Sequence, residues 1–340
     1  MSALQDTVEL IELYYQRGWT DGLPVIPPSE TSINAMMSQM GLGKDEVIGE
    51  IPARNLKITA DKVAINAVLA GCLPEYMPVV TAAVRGICHP DFGYHGPATS
   101  TGGAAIAIIV NGPVARRVGV NAKDNAFGPG FRPNATIGRA LRLLMMNTID
   151  TRPGRLDRST LGNPGKYSLC FAEDEEDSPW EPLHVERGFK PEESTVTVFA
   201  TEGPHQIYNH LSKDPETLCI TMADAMANLG SMNIIGQQDI AAIFAGEHQD
   251  IFRQCGWKKT QVKDCLFNHA CRSIAEIKKA GRMPGPMEPQ DEGKWRHVVR
   301  EPNDILVISA GARAGAFSAC LPGWGAFNMT RSVTIRIPIR

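Results

Sequence analysis

The residues best suited to chemistry lie together in one segment, residues 166–187. The segment contains a thiol, carboxylates, an imidazole and an indole, at Cys170, Glu173, Glu175, Glu176, Trp180, Glu181, His184 and Glu186. Because Pro179 and Pro182 interrupt any helix before His184, we predict a rigid loop. Such loops commonly carry catalytic residues, although a solvated acidic loop would have a similar composition. The candidate catalytic residues here are Glu173, Glu176, Glu181 and His184, and Trp180 is a candidate substrate contact.

Three residues of this segment are candidates for a metal site or for acid–base catalysis: Glu181, His184 and Glu186. In an extended segment, His184 and Glu186 would face the same side. These two residues could then bind a divalent metal that keeps one position open for water. Alternatively, a carboxylate fixes the tautomer of His184, which then acts as a general base. A purely structural His–Glu pair is also compatible with this spacing, which matches no strong zinc motif.

His205 and Cys72 are further candidates for catalysis, because both lie near predicted ends of secondary-structure elements. Pro204 predicts a helix start with His205 in the first turn, where the positive end of the helix dipole favours a neutral imidazole. A neutral imidazole suits a base or an electrophile. Cys72 would be a nucleophile if a helix N-terminus lowered its pKa, whereas a buried thiol would only fill space.

A rigid turn before a predicted helix is a candidate anion site, with the sequence Phe127-Gly-Pro-Gly-Phe-Arg-Pro-Asn134. Free backbone N–H groups at a helix start suit a carboxylate or a phosphate, and a nearby guanidinium adds positive charge. The substrate-binding candidates in this turn are Gly128, Gly130, Arg132 and Asn134. His95 is another, beside the glycine-rich loop of residues 99–103. Neither segment matches a nucleotide-binding motif.

The composition excludes some classes of partner. The 340-residue chain has a formal net charge of −3 and no run rich in lysine and arginine, which argues against a nucleic-acid partner. Residues 1–19 lack the apolar core of a signal peptide, and the longest apolar run, residues 104–110, is too short to span a bilayer. We therefore expect a cytoplasmic protein with no membrane partner. Its eight cysteines form no Cys-x-x-Cys pair, so we expect reduced thiols.

Buried apolar runs alternate with amphipathic segments, which predicts an α/β or mixed α+β fold with helices packed on mixed sheets. Predicted strands cover residues 104–110, 195–200, 240–245, 304–310 and 333–337. Predicted helices cover residues 59–71, 75–87, 135–147, 214–230 and 260–281. A similar order of helices and strands occurs around residues 59–118 and 214–256. This order indicates two topologically similar halves, which we place at residues 1–190 and 191–340, although many α/β chains show such an order.

Several longer motifs carry a family resemblance. They are Gly18-Trp-Thr-Asp-Gly-Leu-Pro-Val-Ile-Pro-Pro28, Pro52-x-Arg-Asn55, Ala70-Gly-Cys-x-Pro-Glu-Tyr76, Asn134-Ala-Thr-Ile-Gly-Arg-Ala-Leu-Arg142, Ser178-Pro-Trp-Glu-Pro-Leu-His-Val-Glu-Arg-Gly-Phe189, Gly246-Glu-His248 and Cys255-Gly-Trp-Lys-Lys259. Together they resemble a poorly characterised bacterial family, the UGSC-like proteins. In that family the equivalent region often precedes a small domain named for its selenocysteine-Gly-Ser-Cys motif. This sequence contains no Cys-Gly-Ser-Cys motif, so the resemblance implies that a separate UGSC-type subunit supplies the thiol or selenol.

Two functions remain open from the sequence. The first is an enzyme, or the large subunit of a two-part enzyme, acting on a small polar or electrophilic molecule. Its chemistry would be that of an acid–base or metal-assisted lyase or hydrolase, or of a reductase. The second is a non-catalytic scaffold that binds and presents a UGSC-type thiol partner. In both cases we expect a homo- or hetero-oligomer that docks through residues 311–327, which are rich in glycine, alanine and aromatic residues. A loop that closes the chain's own core is the alternative for that segment.

Overall fold

Two four-stranded sheets pack face to face, and a layer of helices covers the outer face of each sheet. The computed structural model describes residues 3–338. The helices are α1 (Ala3–Gln16), α2 (Glu30–Met40), α3 (Ala60–Ala70), α4 (Met77–Cys88), α5 (His95–Thr99), α6 (Pro113–Val118), α7 (Arg132–Asn147), α8 (Leu183–Glu186), α9 (Pro215–Met226), α10 (Asn233–Gly236), α11 (Gly246–Gln254), α12 (Lys259–His269) and α13 (Ile274–Lys279). The strands are β1 (Val47–Ile51), β2 (Leu56–Thr59), β3 (Ala105–Asn111), β4 (Cys170–Ala172), β5 (Ser194–Thr201), β6 (His205–Tyr208), β7 (Ile240–Phe244), β8 (Cys271–Ser273), β9 (Trp295–His297), β10 (Ile305–Ser309), β11 (Phe317–Leu321) and β12 (Val333–Ile337).

The two large sheets share one pattern of strand pairing. In the first sheet the order is β12-β5-β3-β4, with β3 parallel to β4 and antiparallel to β5. In the second sheet the order is β6-β11-β7-β10, with β7 parallel to β10 and antiparallel to β11. The central strands β3 and β7 consist almost entirely of apolar residues because they are covered on both faces. The mixed α/β fold predicted from the sequence is confirmed. The two topologically similar halves stay a prediction, although the two large sheets share this pairing pattern.

Each of the edge strands β6 and β12 joins a different sheet from the strand that precedes it in the sequence. β6 follows β5 in the sequence but pairs with β11 in the second sheet. β12 follows β11 but pairs with β5 in the first sheet. If the chain is divided between β6 and β7, each sheet contains strands from both sides of the division. The predicted boundary at residue 190 stays a prediction.

Three hydrophobic clusters fill the three interfaces between the four layers of helices and sheets. The cluster between the sheets contains Ala107, Ile109, Phe171 and Phe199 from the first sheet and Ile243, Leu306, Ile308 and Leu321 from the second. The larger outer cluster joins α3, α4 and α7 to the first sheet. The smaller one joins α9, α11 and α12 to the second. Within residues 3–338, no helix combines the length and apolar composition needed to cross a membrane.

The long helix predicted after Thr260 is wrong. The segment from 260 to 281 does not form a single helix but divides into α12, β8 and α13. β8 pairs with β9, so residues 271–273 obtain their hydrogen bonds from a distant strand. Ser273 then caps α13, because its hydroxyl accepts the backbone N–H of Glu276 and the Glu276 carboxylate accepts the N–H of Ser273.

Candidate functional site

A cleft of about 430 Å³ lies where the parallel strands β3 and β4 both end. Residues 172–176 form one wall, and parts of residues 112–123 form the other. In open α/β sheets, ligands bind in the crevice outside the carboxyl ends of parallel strands. This cleft is therefore our candidate site, and part of the acidic segment identified in the sequence lines it.

Glu173 is the buried carboxyl of the cleft. It follows β4 directly and is 4% exposed. Its Oε2 atom accepts hydrogen bonds from Asn111 Nδ2 at 2.7 Å and from the backbone N–H of Leu183 at 2.8 Å. Burial raises the pKa of Glu173, and the nearby Lys259 and these hydrogen bonds only partly oppose that effect. A carboxyl with a raised pKa suits a proton donor.

Glu175 lies beside Glu173 and reaches solvent, since its side chain is 24% exposed. Its Oε1 atom accepts hydrogen bonds from Asn111 Nδ2 at 2.9 Å and from the Gly112 N–H at 2.7 Å. Gly112 has a φ of 81°, and a Cβ there would lie 2.1 Å from the Glu193 carbonyl oxygen. Only glycine fits this turn, which directs its N–H at the carboxylate. One asparagine amide thus holds two carboxyl groups together.

His184 lies behind Glu175 and is fully buried. Its Nδ1 atom is 3.6 Å from Glu175 Oε1, and neither ring nitrogen has a hydrogen-bond partner within residues 3–338. Asn111 Oδ1 and Thr195 Oγ1 are also buried without a hydrogen-bond partner in that range. Asn111 and Thr195 lie directly opposite each other where β3 pairs with β5. Buried polar groups are nearly always paired, so a group of unpaired ones marks a place where water or a ligand binds. Three residues with such unpaired atoms, Asn111, His184 and Thr195, lie next to the residues that line this cleft.

The helix α8 holds His184 in place through a buried ion cluster. Glu186, two residues later, pairs with Lys259 at 2.9 Å and also with Lys263. Both lysines are nearly buried. Burial alone would raise the pKa of Glu186. The two ammonium groups lower it by more than burial raises it, so the pKa is below its usual value. Lys259 also donates to the Glu181 carbonyl at 3.0 Å, which ties the loop before α8 to α12.

The structure gives no support to a metal site at His184 and Glu186. Residues 183–186 are helical, so the extended conformation that would place His184 and Glu186 on the same side is not present. The two lysines already neutralise the Glu186 carboxylate. Within the described part of the chain, no three His, Cys, Asp or Glu side chains are arranged to bind a metal together.

The other candidates of the acidic segment lie outside the interior of the cleft. Glu176 is at its rim, where it pairs with Arg116 at 2.7 Å and both side chains are largely exposed. Glu181 is exposed and does not line the cleft. Trp180 is buried in the second sheet's outer core, where its Nε1 donates to the Trp257 carbonyl at 2.9 Å. It therefore anchors the loop, and a contact with substrate is not observed.

His205 and Cys72 do not line this cleft, and their environments differ from those predicted. His205 is exposed on the edge strand β6, so the predicted helix start at Pro204 is wrong. Cys72 is buried, and its thiol donates to the Thr136 carbonyl at 3.3 Å. Burial raises the pKa of Cys72 to about 12, so it is a neutral thiol near pH 7 and its environment does not suit a nucleophile.

The turn at residues 127–134 is occupied by the protein's own contacts. Asn134 binds the backbone of Asn121 through both its side-chain oxygen and its amide nitrogen. Arg132 donates to the Gly71 carbonyl at 2.9 and 3.1 Å. Gly128 and Gly130 are not among the residues that line the cleft. His95 lines a different cleft of about 370 Å³, with His89.

The sequence interpretation did not identify Asn111, Gly112 and Lys259 as site residues. Asn111 and Gly112 directly follow a buried strand, as Glu173 does, and the rule on the carboxyl ends of parallel strands could have paired them. No local pattern in the sequence indicates Lys259, because its partners Glu181 and Glu186 precede it by more than 70 residues.

A second cleft, of about 510 Å³, contains reactive groups that are already paired. Asp157 accepts hydrogen bonds from Arg142 at 2.9 Å, from Lys166 at 2.7 Å and from the Ser159 hydroxyl at 2.5 Å. Lys166 also donates to Ser159 Oγ at 2.6 Å. Because each charge has its counter-charge, this network is a structural ion cluster.

All eight cysteines are unbridged, and only Cys255 is classed as exposed. We expect eight reactive thiols in the denatured protein, and one that reacts much faster than the others in the native protein. Titration with a chromogenic disulfide reagent measures both numbers, and Cys255→Ser should remove the fast phase. A denatured count below eight would contradict the prediction.

No protein-family model matches this chain, and no curated protein matches it either. The resemblance to the UGSC-like proteins therefore stays a hypothesis that rests on the quoted motifs.

Proposed function

We propose that this chain is an enzyme, or the large subunit of one, that moves protons on a small polar molecule in the cleft beside Glu173 and Glu175. The observation that carries the proposal is the group of unpaired buried polar atoms on Asn111, His184 and Thr195. They adjoin two carboxyl groups held by a shared asparagine amide. In the Asp157 cluster, by contrast, each charged group already has its partner.

The two carboxyl groups have different environments, which suits complementary roles. Glu173 is buried with a raised pKa and would donate a proton to a leaving group or a carbonyl oxygen. Glu175 reaches solvent, accepts hydrogen bonds from two N–H groups and would remove a proton from the substrate. Pairs of acids in contrasting environments commonly divide the roles of acid and base in this way. The chemistry would be that of a lyase or a hydrolase.

His184 would be a positioning residue. It is fully buried behind Glu175 and does not line the cleft. At 3.6 Å, its Nδ1 is slightly too far from Glu175 Oε1 for a hydrogen bond, but such contacts often tighten when a substrate binds. A bond from Nδ1–H would then orient the carboxylate.

The cleft suits a small polar substrate. Its volume of about 430 Å³ is at the lower end of the range for small-molecule sites. Lys123 lies 4.0 Å from Asp174 and from Glu176, so the rim holds both signs of charge. A neutral or zwitterionic molecule with a carbonyl group fits this balance better than a multiply charged one.

Proton exchange with solvent tests the proposal even while the substrate is unidentified. Mixtures of small carbonyl compounds are incubated with the protein in D₂O and followed by ¹H NMR. We expect at least one compound to lose a C–H signal or to be converted. Glu175→Gln should slow this reaction by about a hundredfold or more, because general-base catalysis contributes about 10²- to 10⁴-fold.

The pH profile separates the roles of the two acids. Because Glu173 must be protonated to donate, the rate should fall as the pH rises through its raised pKa, and Glu173→Gln should remove that limb. Glu181→Gln is the matched control, since Glu181 is in the same segment but exposed. No exchange in any mixture, or equal rates in Glu175→Gln and Glu181→Gln, would overturn the proposal and favour a non-catalytic scaffold.

A further inference from the structure

A cleft of about 350 Å³ lies between α2, α4 and α6 and is separate from the candidate site. Its lining includes Thr81 and Arg85 from α4 and Arg117 from α6. Thr81 and Arg85 are four residues apart on one helix and therefore share a face. Arg117 follows Arg116, which lines the candidate site, so the short helix α6 separates the two clefts.

The hydroxyl of Thr81 is unusual among the helical hydroxyls of this protein. Thr99, Thr136 and Thr221 each donate to the carbonyl oxygen four residues earlier, which is the common arrangement in helices. Thr81 is 7% exposed, yet its Oγ1 has no hydrogen-bond partner within residues 3–338. A buried hydroxyl in a cleft wall is thus free to bond with a ligand.

The two arginines of the cleft also lack partners in the described range. Neither Arg85 nor Arg117 forms an ion pair or a side-chain hydrogen bond with any residue there, whereas Arg116 pairs with Glu176. Glu75 also lines the cleft, but its carboxylate is exposed and forms no ion pair with either guanidinium. Two unpaired guanidinium groups and one unpaired hydroxyl therefore converge on a small cavity.

We propose that this cleft binds a small-molecule oxyanion, a phosphate ester or a carboxylate, through Arg85, Arg117 and Thr81. Guanidinium groups present several N–H donors in a plane that matches the oxygen atoms of such groups. The hydroxyl of Thr81 supplies a further donor. The volume admits an anion attached to a few carbon atoms and is small for a nucleotide.

Calorimetric titration with inorganic phosphate and, separately, with succinate tests this site in a low-salt buffer that contains only chloride as counter-ion. We expect saturable 1:1 binding of at least one anion, and the stronger ligand identifies the class. Arg85→Gln and Arg117→Gln should each weaken binding about tenfold or more, as expected for the loss of a charge-assisted hydrogen bond. Thr81→Val should weaken it by a smaller factor, about fivefold, because a neutral hydrogen bond contributes less.

Arg17→Gln is the matched control, since Arg17 is an exposed arginine at the end of α1 and its loss changes the net charge equally. If Arg85→Gln fails to fold, the exposed Arg117 still provides the test. Failure of both anions to bind, or equal affinities of the Arg117→Gln and Arg17→Gln proteins, would overturn the proposal. The titration measures only anion binding at this cleft. Its outcome therefore does not depend on whether the cleft beside Glu173 and Glu175 is catalytic.

Discussion

Replacing Glu186 by glutamine is expected to lower the free energy of unfolding by about 3–5 kcal/mol near pH 7. Glu186 is the counter-charge of Lys259 and Lys263, whose side chains are 5% and 6% exposed. Burial already lowers the pKa of Lys263. Without the carboxylate, two ammonium groups would remain uncompensated in the protein interior. Urea denaturation followed by circular dichroism measures the loss.

The stability that Glu186 provides should decrease as the pH falls. The depressed pKa of Glu186 means that its stabilising effect is present above the unfolded pKa of about 4.5 and is lost as the pH falls. In the variant Lys263 can become neutral, so the loss of stability should shrink as the pH approaches its ordinary pKa of about 10.5. Glu181→Gln, an exposed neighbour, should change stability by less than about 0.5 kcal/mol.

A third variant distinguishes charge from packing. Replacing Glu186, Lys259 and Lys263 together by methionine removes all three charges and should cost much less than Glu186→Gln alone, because an apolar cluster often replaces a buried ion cluster without loss. A triple variant as unstable as Glu186→Gln would show that packing, and not unpaired charge, causes the effect.

Asp157→Asn is expected to have a comparable effect on stability, again about 3–5 kcal/mol, because it leaves Arg142 and Lys166 unpaired. The Asp157 carboxylate is 5% exposed. Burial acts to raise its pKa, but Lys166 and Ser159 lower it more, and the net pKa is about 2. Its contribution should therefore be complete above about pH 4 and be lost as the pH falls towards 2.

Acid unfolding of the wild-type and variant proteins measures this contribution. The stability difference between them should narrow between about pH 4 and about pH 2, since both then lack the carboxylate charge. Asp150→Asn is the matched control, because Asp150 pairs with Arg152 and Arg155 at the surface and exposed pairs contribute at most about 1 kcal/mol. A difference that does not depend on pH would exclude the ionised form of Asp157 as the cause.

The buried strands could be predicted from the sequence because they are covered on both faces. β3, β7 and β10 each appear as short apolar runs bounded by turn residues. The start of α9 was equally clear, since Asp214 caps it and Pro215 occupies its first position. In each case a local signal and the long-range packing favour the same structure.

The failures occur where distant contacts override a local pattern. His205 follows a proline that is typical of helix starts, yet pairing of β6 with β11 extends the segment. Residues 271–273 lie in a helical pattern but pair with β9. The candidate site shows the same limit. Glu173 was identifiable from its segment, whereas Lys259 reaches the site only through the packing of α12 against the loop before α8.

The pairing of β12 with β5 has a consequence for the order in which the chain can fold during synthesis. β5 is made well before β12, its outer neighbour, which comprises residues 333–337. Until the ribosome has translated those residues, the edge of β5 presents unpaired backbone groups, which are prone to pair with other chains. The first sheet can therefore be complete only after residues 333–337 have left the ribosome. We expect stalled chains that end before residue 333 to aggregate or to bind chaperones, even though nearly all of the first core has been made.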